Sequence, residues 1–248
     1  MCGRAKLEGD LRELKILFGI PPEYPTPNYA PSWNVAPTDS LPVVRYNPKT
    51  SSRTLDLMRW GLVPYWAKDL KIGFSTINAM AETVDTKPVF KDAFRRRRCL
   101  VPIEAFYEWQ KLGEKAKQPY AIGLKDSRYM VLASLWETWK SPAEELIRSF
   151  TIITTRANEL CAPIHNRMPV ILPPAEWAAW LGQEPVGDDL LKAMLAPYPA
   201  EEMTAWPVST RVGNVKNNDP SLIEPTQAAH IRDSVAMERS DARSSGCC

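Results

Sequence analysis

The residues with the most immediate chemistry stand first in the chain, Met1-Cys2-Gly3-Arg4. Initiator methionine is normally trimmed ahead of a small residue, so the mature chain is expected to begin at Cys2. An α-amine (ordinary pKa about 7.7–8.0) and a thiol (about 8.5) would then sit on adjacent carbons, both partly deprotonated near neutral pH. Such a 1,2-aminothiol condenses with an aldehyde to an imine, and the thiol then closes a five-membered thiazolidine ring. Closure is intramolecular and gains the effective concentration of a held neighbour. Alternatively the thiolate alone serves as an acyl-transfer nucleophile, with the amine as its base. The plain alternative is a cysteine at a frayed terminus, where residues tolerate change.

Three interior residues are candidates to serve Cys2. Glu108 lies among aromatics in Ala105-Phe106-Tyr107-Glu108-Trp109, on a predicted strand. A carboxylate in such surroundings suits proton shuttling; otherwise it is the solvent-facing residue of an alternating strand. His165 lies in Ala162-Pro163-Ile164-His165-Asn166-Arg167-Met168-Pro169 and is one of two histidines. It reads either as a hydrogen-bonded structural residue or, beside Arg167 in a proline-fixed loop, as part of an anion-contacting site. Asn78 either holds a substrate by its amide or caps a turn.

These residues need a scaffold. The chain has 248 residues, 44% hydrophobic, with formal net charge +2, enough for a globular protein with a real core and without a bulk charge that announces nucleic acid. No apolar run is long enough to span a bilayer and no secretory pattern is visible. A cytoplasmic location, nucleoid-associated, or a nuclear one in a eukaryote, is expected. Five cysteines, Cys2, Cys99, Cys161, Cys247 and Cys248, show no zinc-site spacing and no disulfide framework. Cys99 and Cys161, inside apolar runs, read as inert buried thiols. No metal or cofactor is implied.

Leucines at helical spacing predict a short helix over 9–19, and the prolines from 21 to 27 forbid one there. Two strands, 41–46 and 53–60, flank a turn at Asn47-Pro48-Lys49. A strand runs into an aromatic, proline-broken loop over 59–68, and a helix is predicted at 89–97. Strands then dominate at 98–102, 105–110, 119–124, 129–138 and 148–154, with a short one at 170–172. Helices from Pro173-Pro174 and over 188–195 precede a last strand at 204–209. Many strands, few short helices and no βαβ repetition argue for a single α+β domain with a barrel-like antiparallel core. Residues 2–225 form this domain, and the polar tail 226–248 is expected to be disordered. Arg95-Arg96-Arg97-Arg98 reads either as a DNA contact or as the solvated end of a helix.

Several ordered motifs resemble one family: Met1–Arg4, Asn-Val-Ala-Pro at 34–37, Arg-Trp-Gly-Leu-Val-Pro at 59–64, and Ile77-Asn78-Ala79 with Glu82-Thr83. Arg98–Pro102, Phe-Tyr-Glu-Trp at 106–109, His165–Pro169 and Val212–Lys216 complete the set. The sequence is similar to the SRAP family, the SOS response-associated peptidases, from residue 2 to about 225. That resemblance implies a β-rich domain with a positively charged DNA cleft. It implies covalent capture of abasic sites in single-stranded DNA by Cys2 as a thiazolidine crosslink, and autocatalytic peptidase removal of residues ahead of Cys2. By the same resemblance Asn78 positions Cys2 and the sugar remnant, Glu108 handles protons, and His165 assists opening of the deoxyribose. Arg4, Asn34, Arg167 and Lys216 contact DNA, the basic ones at phosphates, and Pro37 and Trp66 lie against bases. The implied partner is abasic single-stranded DNA bound by a monomer, with replication-fork proteins nearby. Two positions depart from the family pattern: Met80, where arginine is frequent, and Asn166, where aspartate is common. Met-Cys-Gly also begins N-terminal-cysteine amidotransferases, which need an oxyanion hole and a second site. A non-catalytic single-strand binding module is the third reading.

Overall fold

A computed structural model describes residues 2–114, 116–126 and 129–228. His230, Cys247, Cys248 and nearly all of the tail expected to be disordered lie outside the described residues. Twelve strands and a few short helices make the fold. Residues of the two patterns sort as their periodicity demands. Leu11–Leu17 (α1) is helical, capped by the Asp10 side chain accepting from the Arg12 amide, with Leu11 and Leu14 buried. The paired strands Ser40–Asn47 (β3) and Ser52–Trp60 (β4) register Val43 opposite Asp56 and Val44 opposite Leu55. Alternate residues therefore face opposite sides, as the period of two requires.

A five-stranded barrel forms the centre. β3 pairs with β4 and with Arg98–Ile103 (β6), β6 pairs with Met130–Lys140 (β9), and β9 pairs with Leu146–Arg156 (β10). β10 returns to β4 and closes the ring. Its pairings with β4 and with Asn78–Met80 (β5) are parallel, unlike the antiparallel rest. β10 reaches those two strands by long crossovers, which parallel neighbours require. Beyond Asn78, β10 is extended by Arg167–Pro169 (β11). The short strand predicted at 170–172 thus lies three residues earlier. Pro173-Pro174 opens a 3-10 turn that continues as Trp177–Leu181 (α3), ended by Gly182 at φ +77°.

A second, antiparallel sheet is built on the Ala105–Lys111 (β7) and Lys117–Leu124 (β8) hairpin. Ala5–Leu7 (β1) and Ser32–Val35 (β2) extend one edge, and Met203–Pro207 (β12) the other. The chain passes from barrel to second sheet through the single residue Glu104, between β6 and β7. One barrel face, with Val43, Trp60, Val101, Leu132 and Phe150, packs on Leu7, Val35, Phe106 and Ile122 of the second sheet, and Cys2 lies in this cluster. The other face, with Val44, Leu100, Leu135 and Ile153, packs on Leu14, Phe18, Phe94, Trp177 and Trp180 of the helical layer.

Gly61 holds the neck of the loop that carries Trp66. Its φ is +118°, and a Cβ there would meet the Gly73 carbonyl oxygen at 2.5 Å. Only glycine combines that backbone with so close an approach. The arginine run divides. Arg97 pairs with Glu137 at 2.6 Å, and Arg98 donates to the Trp180 and Phe94 carbonyls while lying over the Trp180 ring. Arg95 and Arg96 stay exposed at the end of Lys91–Arg96 (α2). Among the described residues, no helix is long and apolar enough to cross a membrane.

Candidate active site and its nucleic-acid face

Cys2 is fully buried. The segment that follows it runs along β7: Tyr107 N–H donates to the Arg4 carbonyl at 3.0 Å, and Ala5 stands opposite Phe106. This pairing brings Glu108, one residue on, to the same end of the sheet. On the barrel side, Trp60 Nε1 donates to the Ile77 carbonyl, and β5 lies alongside Ile152–Thr154. Asn78 is thereby fixed with its Nδ2 donating to the Cys2 carbonyl at 2.8 Å. Two sheets thus grip one residue from opposite sides.

Burial pushes the Cys2 thiol well above its ordinary range, and the charge of Glu108 pushes it further. The free-peptide expectation of a partly ionised thiol fails here for that reason: a thiolate is penalised by desolvation and by a nearby carboxylate. Both influences favour S–H, against the chain-start amine and the Arg4 amide, which favour the thiolate, so attack by sulfur is served by a proton acceptor. Glu108 is buried, on the strand that flanks the cysteine. Cys161, also buried, feels the same two influences and is pushed up to about 12. Glu108 therefore acts on two thiols, one at the chain start and one in the loop ahead of His165.

That loop is tightly wound. Asn158 Oδ1 accepts from the Cys161 amide, and the His165 amide donates to the Cys161 carbonyl. Gln110 Nε2, from β7, donates to the Pro163 carbonyl and ties the loop to the sheet bearing Glu108. Ile164 packs against the cluster that contains Cys2. The Arg167 amide donates to His165 Nδ1 at 3.0 Å, which leaves the proton of a neutral ring on Nε2.

The basic candidates are placed in different ways. Arg167 is half-buried, and its guanidinium forms a fork with both Glu82 oxygens (2.7 and 3.0 Å) and also donates to the Thr154 carbonyl. Arg4 donates to Asn34 Oδ1, to the Val212 carbonyl at 2.6 Å and to that of Gly213, and lies 6.0 Å from the Trp109 ring centre. Asn34 is buried, and its Nδ2 reaches the carbonyls of Val212, Asn214 and Asn217. It supports the loop 210–217 from beneath and does not present its own amide outward. Lys216, at the tip of that loop, is exposed. Asn34→Ala would take the donor from the part-buried Asn214 and Asn217 carbonyls, while the Val212 carbonyl keeps Arg4, and hydrogen bonds lost in this way cost about 1–3 kcal/mol together. We expect a loss of about 1–3 kcal/mol in urea unfolding. A loss no larger than that of a surface substitution would show that the loop does not depend on the amide.

Trp66 is 51% exposed and Pro37 is half-buried. Trp66 rides on a rigid loop, since Trp139 Nε1 donates to the Ala67 carbonyl and Thr76 Oγ1 to that of Leu62. Tyr65 and Phe74 on the same loop are also exposed, 60% and 64%. The sequence reading took in Tyr65 as part of the aromatic, proline-broken stretch without naming it a site residue, and it passed over Phe74, which stands apart from that run in Leu70–Ser75. Glu82 and Gln110 were also missed as positioning groups, because a lone carboxylate or amide has no signal until its partner is known. Next to Pro37, Thr38 holds φ +82°, rare for a β-branched residue. It is over-determined by its amide bond to the Trp60 carbonyl and by Arg59 Nη1 on its own carbonyl. Met80 is exposed on β5. Among the described residues, no three His, Cys, Asp or Glu side chains gather to hold a metal ion.

Comparisons place this arrangement among known proteins. The abasic site processing protein YoqW of Bacillus subtilis is 42% identical over 224 residues, covering 90% of this chain and 99% of its own. Abasic site processing protein HMCES of Mus musculus is 32% identical, covering 82% and 68%. A crystal structure of a Bacteroides thetaiotaomicron protein superposes with a TM-score of 0.82 at 24% identity, over 91% of this chain and all of that one, and shows the fold. The sequence pattern of the family described as SOS response associated peptidase (SRAP) matches residues 1–215. With the motifs distributed over both sheets and the loops between them, the chain belongs to the SRAP family.

Proposed function

We propose that the protein processes abasic sites in single-stranded DNA by covalent capture at Cys2. The observation that carries this reading is the setting of Cys2: fully buried, its carbonyl held by Asn78, its thiol under the charge of Glu108. The names of the relatives support it. Once Met1 is removed, the Cys2 amine attacks the C1′ aldehyde of the ring-opened sugar, and water leaves to give an imine. The thiol sulfur then adds to the imine carbon, and its proton passes through Glu108 to the nitrogen. The product is a thiazolidine, reached with no oxidant or cofactor. Because burial and Glu108 favour the protonated thiol, the amine leads and the sulfur follows.

His165 Nε2–H serves the opening of the sugar ring. Lys216 offers the most accessible charge to a phosphate. Arg4 and Arg167, already forked to protein groups, lend their charge from fixed positions. Pro37 and Trp66 occupy the space of a stacked neighbour or a complementary strand. In a form that still carries residues ahead of Cys2, the Cys2 nitrogen is part of the scissile amide, and the thiol alone would serve autocatalytic peptide removal, adding to the preceding carbonyl and releasing the Cys2 amine on cleavage. The working species is a monomer at the nucleoid or, in a eukaryote, the nucleus, where replication-fork proteins expose single strands.

The test is a denaturing gel after mixing the protein with abasic DNA, single-stranded or fully paired. A covalent band is expected, several-fold stronger on the single strand. Its absence on both would overturn the reading, and equal yields would remove the wedge role of Trp66 and Pro37.

A further inference from the structure

Strand register places an additional arginine beside the site. Thr154 stands opposite Met80 in the parallel β5–β10 pair, and Arg156 stands opposite Arg167 in the antiparallel β10–β11 pair. Directly paired residues point to the same face, as do residues two apart on one strand. Met80, Thr154, Arg156 and Arg167 therefore share one face. It is the face of Asn78, two residues before Met80, whose amide holds Cys2.

Two arginines directly across a strand pair repel one another and destabilise the sheet. Arg167 is neutralised by Glu82. Arg156 is exposed and makes no side-chain hydrogen bond or ion pair with the described residues. At the end of β10 it also borders a cleft of about 380 Å³, whose remaining lining, with Thr155, Lys192 and Leu195, belongs to the helical side of the barrel. Lys192 reaches Asp85 at 2.8 Å and remains 42% exposed. An exposed cation on the site face, without a hydrogen-bond or ion-pair partner among the described residues, suits an anion that arrives from outside. Arg156 lies four residues, about 13 Å, along β10 from Ile152, the partner of Asn78. That distance is too great for the lesion itself and suits the backbone that flanks it.

We propose that Arg156 forms a phosphate subsite for the DNA strand flanking the abasic site. It supplies on β10 the cation that Met80 does not supply on β5. This rests on the proposed capture of abasic single-stranded DNA. It adds a contact that the motif resemblance does not single out.

The test uses a fluorescent single-stranded oligonucleotide bearing a tetrahydrofuran abasic mimic, which binds without reacting. Anisotropy titrations over a salt series give the log–log slope of affinity. Each phosphate contact on a single strand contributes about −0.7 to that slope. Arg156→Gln is expected to make the slope shallower by about 0.7 and to weaken binding at low salt. Arg156→Lys should keep the slope, and Met80→Arg in the Arg156→Gln background should restore it. Arg12→Ala, on α1, should leave it unaltered. Identical slopes for wild type and Arg156→Gln would overturn the subsite. A parallel gel with reactive abasic DNA separates the two levels. A wild type that crosslinks while Arg156→Gln keeps its slope removes only the subsite. A wild type that forms no covalent band removes the capture reading beneath it.

Discussion

Replacing Glu108 by glutamine should slow crosslinking by about 10²–10⁴-fold, the usual contribution of a positioned acid or base. Glutamine keeps the shape and the strand position but cannot exchange a proton. Two accounts of the cysteine give opposite signs for this change. Glu108 helps to raise the thiol, so removing its charge favours the thiolate. If thiolate concentration limited the reaction, the variant would be faster than wild type. If proton transfer out of a buried S–H limits it, the variant is slower, and that is the expected result. Single-turnover rates at saturating abasic DNA decide between them, and affinity for the unreactive mimic serves as control. A variant that loses affinity as much as rate would make Glu108 a structural residue.

The second large effect is at Cys2 itself. Cys2→Ser keeps the α-amine and replaces sulfur with a poorer nucleophile for ring closure. The expected outcome is loss of all heat-stable adduct, with an imine that borohydride traps and heating destroys. The serine hydroxyl fits the same buried space, so the fold should persist; unchanged thermal unfolding would show that it does. A heat-stable adduct at wild-type yield from this variant would place the reacting atom elsewhere.

Much of the scaffold could be read from the chain because its signals are local. Leucine spacing marks α1, apolar and β-branched runs mark β3, β4 and β10, and Pro173-Pro174 marks the entry to α3. β1, β2 and β5 escaped because three or four residues carry too little periodicity to register. These are the strands that position Cys2, Asn34 and Asn78. A barrel-like core was expected, but the strands that close it were not, since the β4–β10 pairing joins residues about ninety apart and sequence pattern is silent on such contacts. The site residues show a similar divide. Residue type named Arg4 and Arg167 as cations but could not reveal that protein groups already fork them. It named Asn34 without showing that the amide points inward to three carbonyls. Ordinary pKa values suggested a partly ionised thiol; burial works against that, and burial belongs to the fold. Motif order carried what local chemistry could not, because eight weak signals in sequence constrain one another.

The central claim is that the amine and the sulfur of Cys2 both bond to one carbon. Intact-mass measurement of the heat-treated adduct tests it most directly, on the mature protein and on a form whose Cys2 amine is blocked by a retained, uncleavable extension. Imine formation followed by ring closure expels one water, so the mature adduct should weigh one water less than protein and DNA together and survive heating. The blocked form should give no heat-stable adduct. Addition of sulfur alone to the aldehyde expels no water. A heat-stable adduct of full combined mass, formed equally well by the blocked protein with its extension intact, would contradict the aminothiol mechanism.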